Sequence, residues 1–135
     1  MKKFFEFQKR KGFSLLPVVL IAGIIVAEVG VALSFVMYLT NSASYGARLS
    51  QEAFYGARSG VNDAFLKIIR NKDYSSPGYN LTVGKSNVNV VVTNEIGIAT
   101  IVSTGTVLNR QRKLQAVISI DAETGEAALF SLQEI

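Results

Sequence analysis

Apolar residues crowd one end of this chain and recur at regular intervals through the rest. Residues 13–39 form a run of 27 positions with a single charge, Glu28. As a helix the run spans about 40 Å, enough to cross a bilayer with some tilt. From residue 41 to 72 the rhythm changes, and Tyr45, Leu49, Ala53, Ala57, Val61, Ala64 and Ile68 recur at three-to-four spacing as one apolar helical stripe. No proline interrupts that stripe, so the two stretches predict one helix over 13–70, about 87 Å long at 1.5 Å per residue. Ala43, Gly46, Ala47, Gly56, Ala57 and Gly60 lower its intrinsic propensity but let another backbone come close.

Asp73, Ser75, Ser76, Pro77 and Gly78 are turn residues that end the helix near 71–78. Residues 79–83 and 86–93 then flank Gly84-Lys85 as a tight hairpin, and Asn94-Glu95-Ile96-Gly97 turns the chain into 98–107. Residues 108–111 lead to 113–121, where Leu114, Ala116, Ile118 and Ile120 alternate with Lys113, Gln115, Ser119 and Asp121, so one face is buried. A loop at 122–126 precedes an edge strand at 127–132. Four sequential strands with short links make an antiparallel meander, and the only cover for its apolar face is the helical stripe. The expected fold class is α+β: a long N-terminal helix, hydrophobic over 13–39 and amphipathic over 40–72, packed on a small sheet domain, 73–135.

The chain's 135 residues carry 14 basic and 10 acidic side chains, a formal net charge of +4. Lys2, Lys3, Lys9, Arg10 and Lys11 against Glu6 account for the whole excess within the first twelve residues. A nucleic-acid reading based on overall charge therefore fails. The basic tip, with no further cation until Arg48, places the N-terminus in the cytoplasm and everything after residue 39 on the far side. A signal peptide has a shorter apolar core and a small-residue cleavage site, neither of which is present. About 100 residues remain outside the apolar run, too few for a two-domain enzyme. The absence of Cys and His removes disulfides, thiol nucleophiles, Ser-His-Asp triads and zinc clusters together.

Two residues in the apolar run need an account. Pro17 is tolerated in the first turn of a helix, so the helix is expected to start close by. Glu28 carries a carboxyl group into hydrocarbon at a cost of about 2.5–3.5 kcal/mol, so it calls for a cation, a proton or a neighbouring subunit. Other constellations are weak. Asp121, Glu123 and Glu126 around Gly125 offer oxygen ligands of the kind calcium takes, but lack a dedicated loop's alternation and read as a solvated turn. Arg110, Arg112 and Lys113 form a basic turn without the interleaved aromatics that stack on bases. Ser14 has no base to activate it, and Gly84, Gly97 and Gly105 read as turn or bulge glycines rather than a phosphate loop. No catalytic residue, cofactor or resident metal is expected.

Lys11-Gly12-Phe13-Ser14-Leu15-Leu16, after a short basic leader and before a long apolar helix, resembles the N-terminus of type IV prepilins and type II secretion pseudopilins. The resemblance is specific over about the first forty residues and architectural over the rest. It implies that residues 1–12 are a leader removed by a prepilin peptidase after Gly12, with methylation of the new N-terminal amine on Phe13. It further implies partners in other pilin subunits and an inner-membrane assembly platform, residence in the membrane before assembly, and a surface filament afterwards. One position departs from the pattern: the family usually has glutamate at the fifth mature position, which here is Pro17. Family members lacking that glutamate include minor subunits at the filament tip, and Glu28 is the candidate substitute counter-ion. The competing expectation is an uncleaved single-pass anchor whose sheet domain binds an extracytoplasmic partner. The Gly12-Phe13 junction weighs against it, because an uncut helix through Gly12 and Pro17 carries two breakers.

Overall fold

A computed structural model describes the backbone of residues 2–135 and the side chains of residues 15–135. Helix α1 (Lys2–Arg70) is followed by β1 (Ser76–Val83), β2 (Ser86–Glu95), β3 (Ile98–Val107), β4 (Arg110–Ile120) and β5 (Ala127–Glu134). The strands form one antiparallel sheet in the order β1-β2-β3-β4-β5, so the fold is α+β with a long N-terminal helix and a meander. Two compact units divide the chain after Ala43.

The first unit is helix throughout its described residues, and every side chain from Leu15 to Ala43 is exposed. Two of its hydroxyls bond back within the helix: Ser34 Oγ donates to the Gly30 carbonyl and Thr40 Oγ1 to the Val36 carbonyl, both at 2.9 Å. The helix does not begin at residue 13, close to Pro17, as expected. It begins at Lys2, which leaves Pro17 inside it. The Lys, Glu, Gln and Arg residues before Gly12 are good helix formers, and the proline removes one donor, to the Phe13 carbonyl, without ending the run.

In the second unit, Ser44–Ile135, the stripe Leu49, Ala53, Ala57, Val61, Ala64 and Ile68 is buried against the sheet as its spacing requires. Tyr45 is not part of it; more than half exposed, it lies level with the hairpin turns where the sheet has ended. The core is completed by Val88, Val90 and Val92 of β2, Ala99 and Ile101 of β3, and Leu114, Ala116, Ile118 and Ile120 of β4. These alternate with outward polar positions such as Asn87, Asn89 and Thr93.

Helix and sheet approach closely at three glycines. Gly56 faces Ser86 and Gly60 faces Ser103, Val88 and Val90, leaving no room for a Cβ on the helix. Gly105 is the converse, and corrects the expectation of a turn or bulge: it lies inside β3, paired with Val88 and Arg112, with the Ala53 carbonyl oxygen and Ala57 nitrogen of α1 directly above it. Ser86 Oγ and Ser103 Oγ are buried without a hydrogen-bond partner, so small size rather than polarity accounts for serine opposite the helix glycines.

The strands are longer than their sequence signals. β1 starts at Ser76, and its pairing with β2 is irregular between Ser76 and Tyr79, where Pro77 occupies an edge position that needs no donor. β4 starts at Arg110, so the β3–β4 link is the two-residue turn Leu108-Asn109 rather than a segment. β5 is a full fifth strand, with Phe130 skipped in its register with β4. It secures the C-terminus without a disulfide: the Ile135 amide donates to the Lys113 carbonyl at 3.0 Å, and Arg112 pairs with Glu134 at 2.7 Å.

Candidate assembly surfaces

Two surfaces carry chemistry, one on each unit. On the first, Leu15–Ala43 presents Leu, Ile, Val and Phe side chains on every side of the helix, and Glu28 is the one charged group among them. This helix is long and apolar enough to cross a membrane, which is compatible with a single-pass anchor. Pro17 and Glu28 both lie on it, 11 residues or about three turns apart. The surroundings of Gly12 and Phe13 lie outside the described residues. α1 carries the backbone through both.

The second unit is locked by a polar cluster where β1 meets α1. Tyr79 Oη donates to Asp63 Oδ2 at 2.7 Å, Lys67 Nζ approaches the same oxygen at 2.9 Å, and the ammonium lies 3.5 Å from the Tyr79 ring centroid. Burial pushes the Asp63 carboxyl up, but hydrogen bonds from Lys67 and Tyr79 outweigh it and hold the group below its ordinary 3.8. Burial, and then donation to the Asp63 carboxylate, push the Tyr79 hydroxyl well above its ordinary range. A lowered folded pKa at Asp63 means its contribution is present above about pH 4 and is lost as pH falls through the folded value. A raised one at Tyr79 means its contribution is fully present below about pH 10 and fades above it. With Asp63 38% exposed the bond is partly screened, so Tyr79→Phe is expected to cost about 1 kcal/mol at neutral pH. The same variant is expected to remove the late-titrating phenol from an absorbance titration. Urea unfolding of the detergent-solubilised chain checks the first outcome, and an unchanged midpoint would show the bond to be idle.

The acidic and basic groupings of the sequence come apart in space. Asp121 Oδ1 accepts from the Glu123 amide at 2.8 Å and the Thr124 amide at 3.0 Å, so this carboxylate shapes the β4–β5 turn. Those two backbone bonds, Thr124 first, hold its pKa below the ordinary value. Among the described residues no three acidic groups stand close enough to hold a metal. Alternation along β4 likewise divides the basic residues: Arg112 Nε donates to Ser50 Oγ on α1 at 2.7 Å and Arg110 lies over Gly46, while Lys113 points to the other face.

No family model, characterised protein or solved structure matches this chain.

The meander also gathers residues that sequence proximity does not. The β1–β2 and β3–β4 turns return to the end of the second unit where α1 enters it. There Tyr45, Arg48, Leu49, Glu52, Lys85 and Leu108 line an open cleft of about 630 Å³. The β2–β3 turn and the β4–β5 connection lie at the opposite end, joined by a 2.7 Å bond from the Ile120 amide to the Gly97 carbonyl. Neither the cleft nor the opposite tip was legible as a site. The available signal was strand direction, which sends alternate turns of a meander to alternate ends.

Proposed function

We propose that the chain is a structural subunit, of minor or tip type, of a type IV pilus or type II secretion-like filament. Cleavage after Gly12 would release the basic leader, methylation would follow on the new amine of Phe13, and the helix from Phe13 would then move from the bilayer into contact with its neighbours. The observation that carries this reading is the complete exposure of Leu15–Ala43 beside a second unit that has its own core. An apolar surface of that extent is stable only in lipid or against protein. A pilin subunit meets both environments in turn.

One observation favours the permanent anchor instead: α1 runs through Gly12 and Pro17 without a break, so the two breakers do not by themselves mark a cleavage point. Intact mass and N-terminal sequence separate the readings, taken from sheared surface material and from membranes of the native host. A chain beginning at methylated Phe13 in the sheared fraction is the expected result. A chain that keeps residues 1–12 and stays with the membrane would leave an anchored binding domain.

A further inference from the structure

Ile96 sits where local physics opposes it. As the first residue of the β2–β3 turn it has φ 39°, a left-handed conformation that is a true outlier for a β-branched side chain. Asn, Asp or Gly closes such a turn without strain. The side chain is also fully exposed, so core packing does not account for it either. Its end of the unit is mostly acidic: Glu95 precedes it as the last residue of β2, and Asp121, Glu123 and Glu126 occupy the adjoining β4–β5 connection, with Lys72 as a cation beside them, its Nζ donating to the Ala122 carbonyl at 3.3 Å.

The other end of the same unit is the complement. Its cleft has apolar walls from Tyr45, Leu49, Val107 and Leu108, with Arg48 and Lys85 beside them and Glu52 as the single acid. Leu108 repeats the anomaly of Ile96, an exposed apolar residue at φ 52° in a hairpin turn. Only two ion pairs form among the described residues, Lys67–Asp63 and Arg112–Glu134, and neither uses Arg48, Lys85, Glu95, Glu123 or Glu126. The charges at both ends are thus free to meet a partner.

We propose that Ile96, with its acidic surround, docks into the Arg48 and Lys85 cleft of a second copy of this chain. A contact between two different patches on identical chains is heterologous: it closes into a ring where its rotation allows and otherwise repeats along a line of subunits, the arrangement a filament needs. The apolar tip supplies the buried centre of the contact, and the opposed charges fix its polarity by penalising tip-to-tip and cleft-to-cleft pairing. A lipid surface would satisfy the basic end and leave both Ile96 and the acids unexplained. The proposal rests on the filament reading, because a filament presents the ends of successive copies to each other.

The absence of cysteine makes the test direct. The full chain carrying both Ile96→Cys and Leu108→Cys is oxidised in membranes and filaments of its host. A ladder at multiples of the monomer mass is expected, with neither single variant giving one. Adding Arg48→Glu and Lys85→Glu is expected to abolish the ladder, and adding Glu95→Lys and Glu126→Lys as well to restore it, a rescue that a folding defect would not show. Dimers from Ile96→Cys alone would overturn the proposal in favour of tip-to-tip pairing. Chains cleaved after Gly12 and recovered in sheared filaments, yet without a ladder, would overturn the contact and leave the filament reading intact. Conversely, a ladder from uncleaved membrane chains would uphold the contact and end that reading. Finally, a Lys85→Cys thiol shielded from a soluble maleimide whether or not Ile96 is replaced would assign the basic end to lipid and overturn the proposal.

Discussion

Gly105→Ala is expected to destabilise the Ser44–Ile135 unit by about 3 kcal/mol, although it adds one methyl group. Intrinsic preference points the other way, since alanine inside a strand is favoured over glycine by about 0.5–1 kcal/mol. The sign of the effect therefore decides between local and tertiary control of the position. Tertiary control wins on geometry. A Cβ at Gly105 would fall against the Ala53 carbonyl oxygen and within 2.8 Å of the Ala57 nitrogen, both backbone atoms of a packed helix. No rotamer change relieves such a contact; α1 must lift off the sheet, and Ala53, Ala57 and Val61 lose their burial together. Gly84→Ala is the matched control, because Gly84 has φ 59° in open space and its replacement costs only conformational strain, about 1–2 kcal/mol. Denaturant unfolding of both variants in detergent measures the difference. A loss at Gly105 no greater than at Gly84 would mean that the helix is not seated on β3 as described.

Gly105 also shows where sequence reading stops. Its odd number places it with Ala99, Ile101, Ser103 and Val107 on the inward side of β3, so the strand pattern already contained its direction. What the pattern lacked was the identity of the atoms above it, the Ala53 carbonyl oxygen and the Ala57 nitrogen of α1. The stripe from Leu49 to Ile68 and the alternation of β4 were legible because burial follows period alone over those stretches. Tyr45 keeps the period but loses the burial, because spacing carries no information about where the opposing sheet ends. The helix start was misplaced for a related reason: the rule that proline opens helices is a statistical preference, and the residues before Pro17 favour helix strongly enough to run past it. The exposed apolar run was readable in full, since exposure of a membrane-length run needs no tertiary contact. The cleft was not, because Arg48, Lys85 and Leu108 come from three separate segments that only the folded meander brings together.

Glu28→Gln is expected to leave the chain in the membrane and to abolish its recovery in sheared surface filaments. The two halves of that expectation have opposite energetics. A carboxylate at the centre of an apolar helix opposes insertion by about 2.5–3.5 kcal/mol, so the amide is retained at least as well as the acid. Any defect in assembly then cannot be blamed on loss of the anchor. Among the described residues Glu28 has no partner: it is exposed, and its described helical neighbours through Ala43 are uncharged. A costly group with no return among the described residues fits a role between chains, and the cation that cleavage after Gly12 would create is the amine of a neighbour's Phe13. Pro17 vacates the position from which the resembling family supplies that counter-ion. Glu28, about three turns further along, would supply it only to a neighbour displaced by the same amount. Glutamine keeps the size and hydrogen-bonding capacity of the side chain and deletes its charge, whereas Glu28→Asp keeps the charge on a shorter arm and is expected to retain part of the assembly. Alkaline carbonate extraction reports the anchor, and shearing followed by mass measurement reports the filament. Normal filaments from Glu28→Gln would remove Glu28 from the assembly mechanism and reduce it to a tolerated polar residue on an apolar helix.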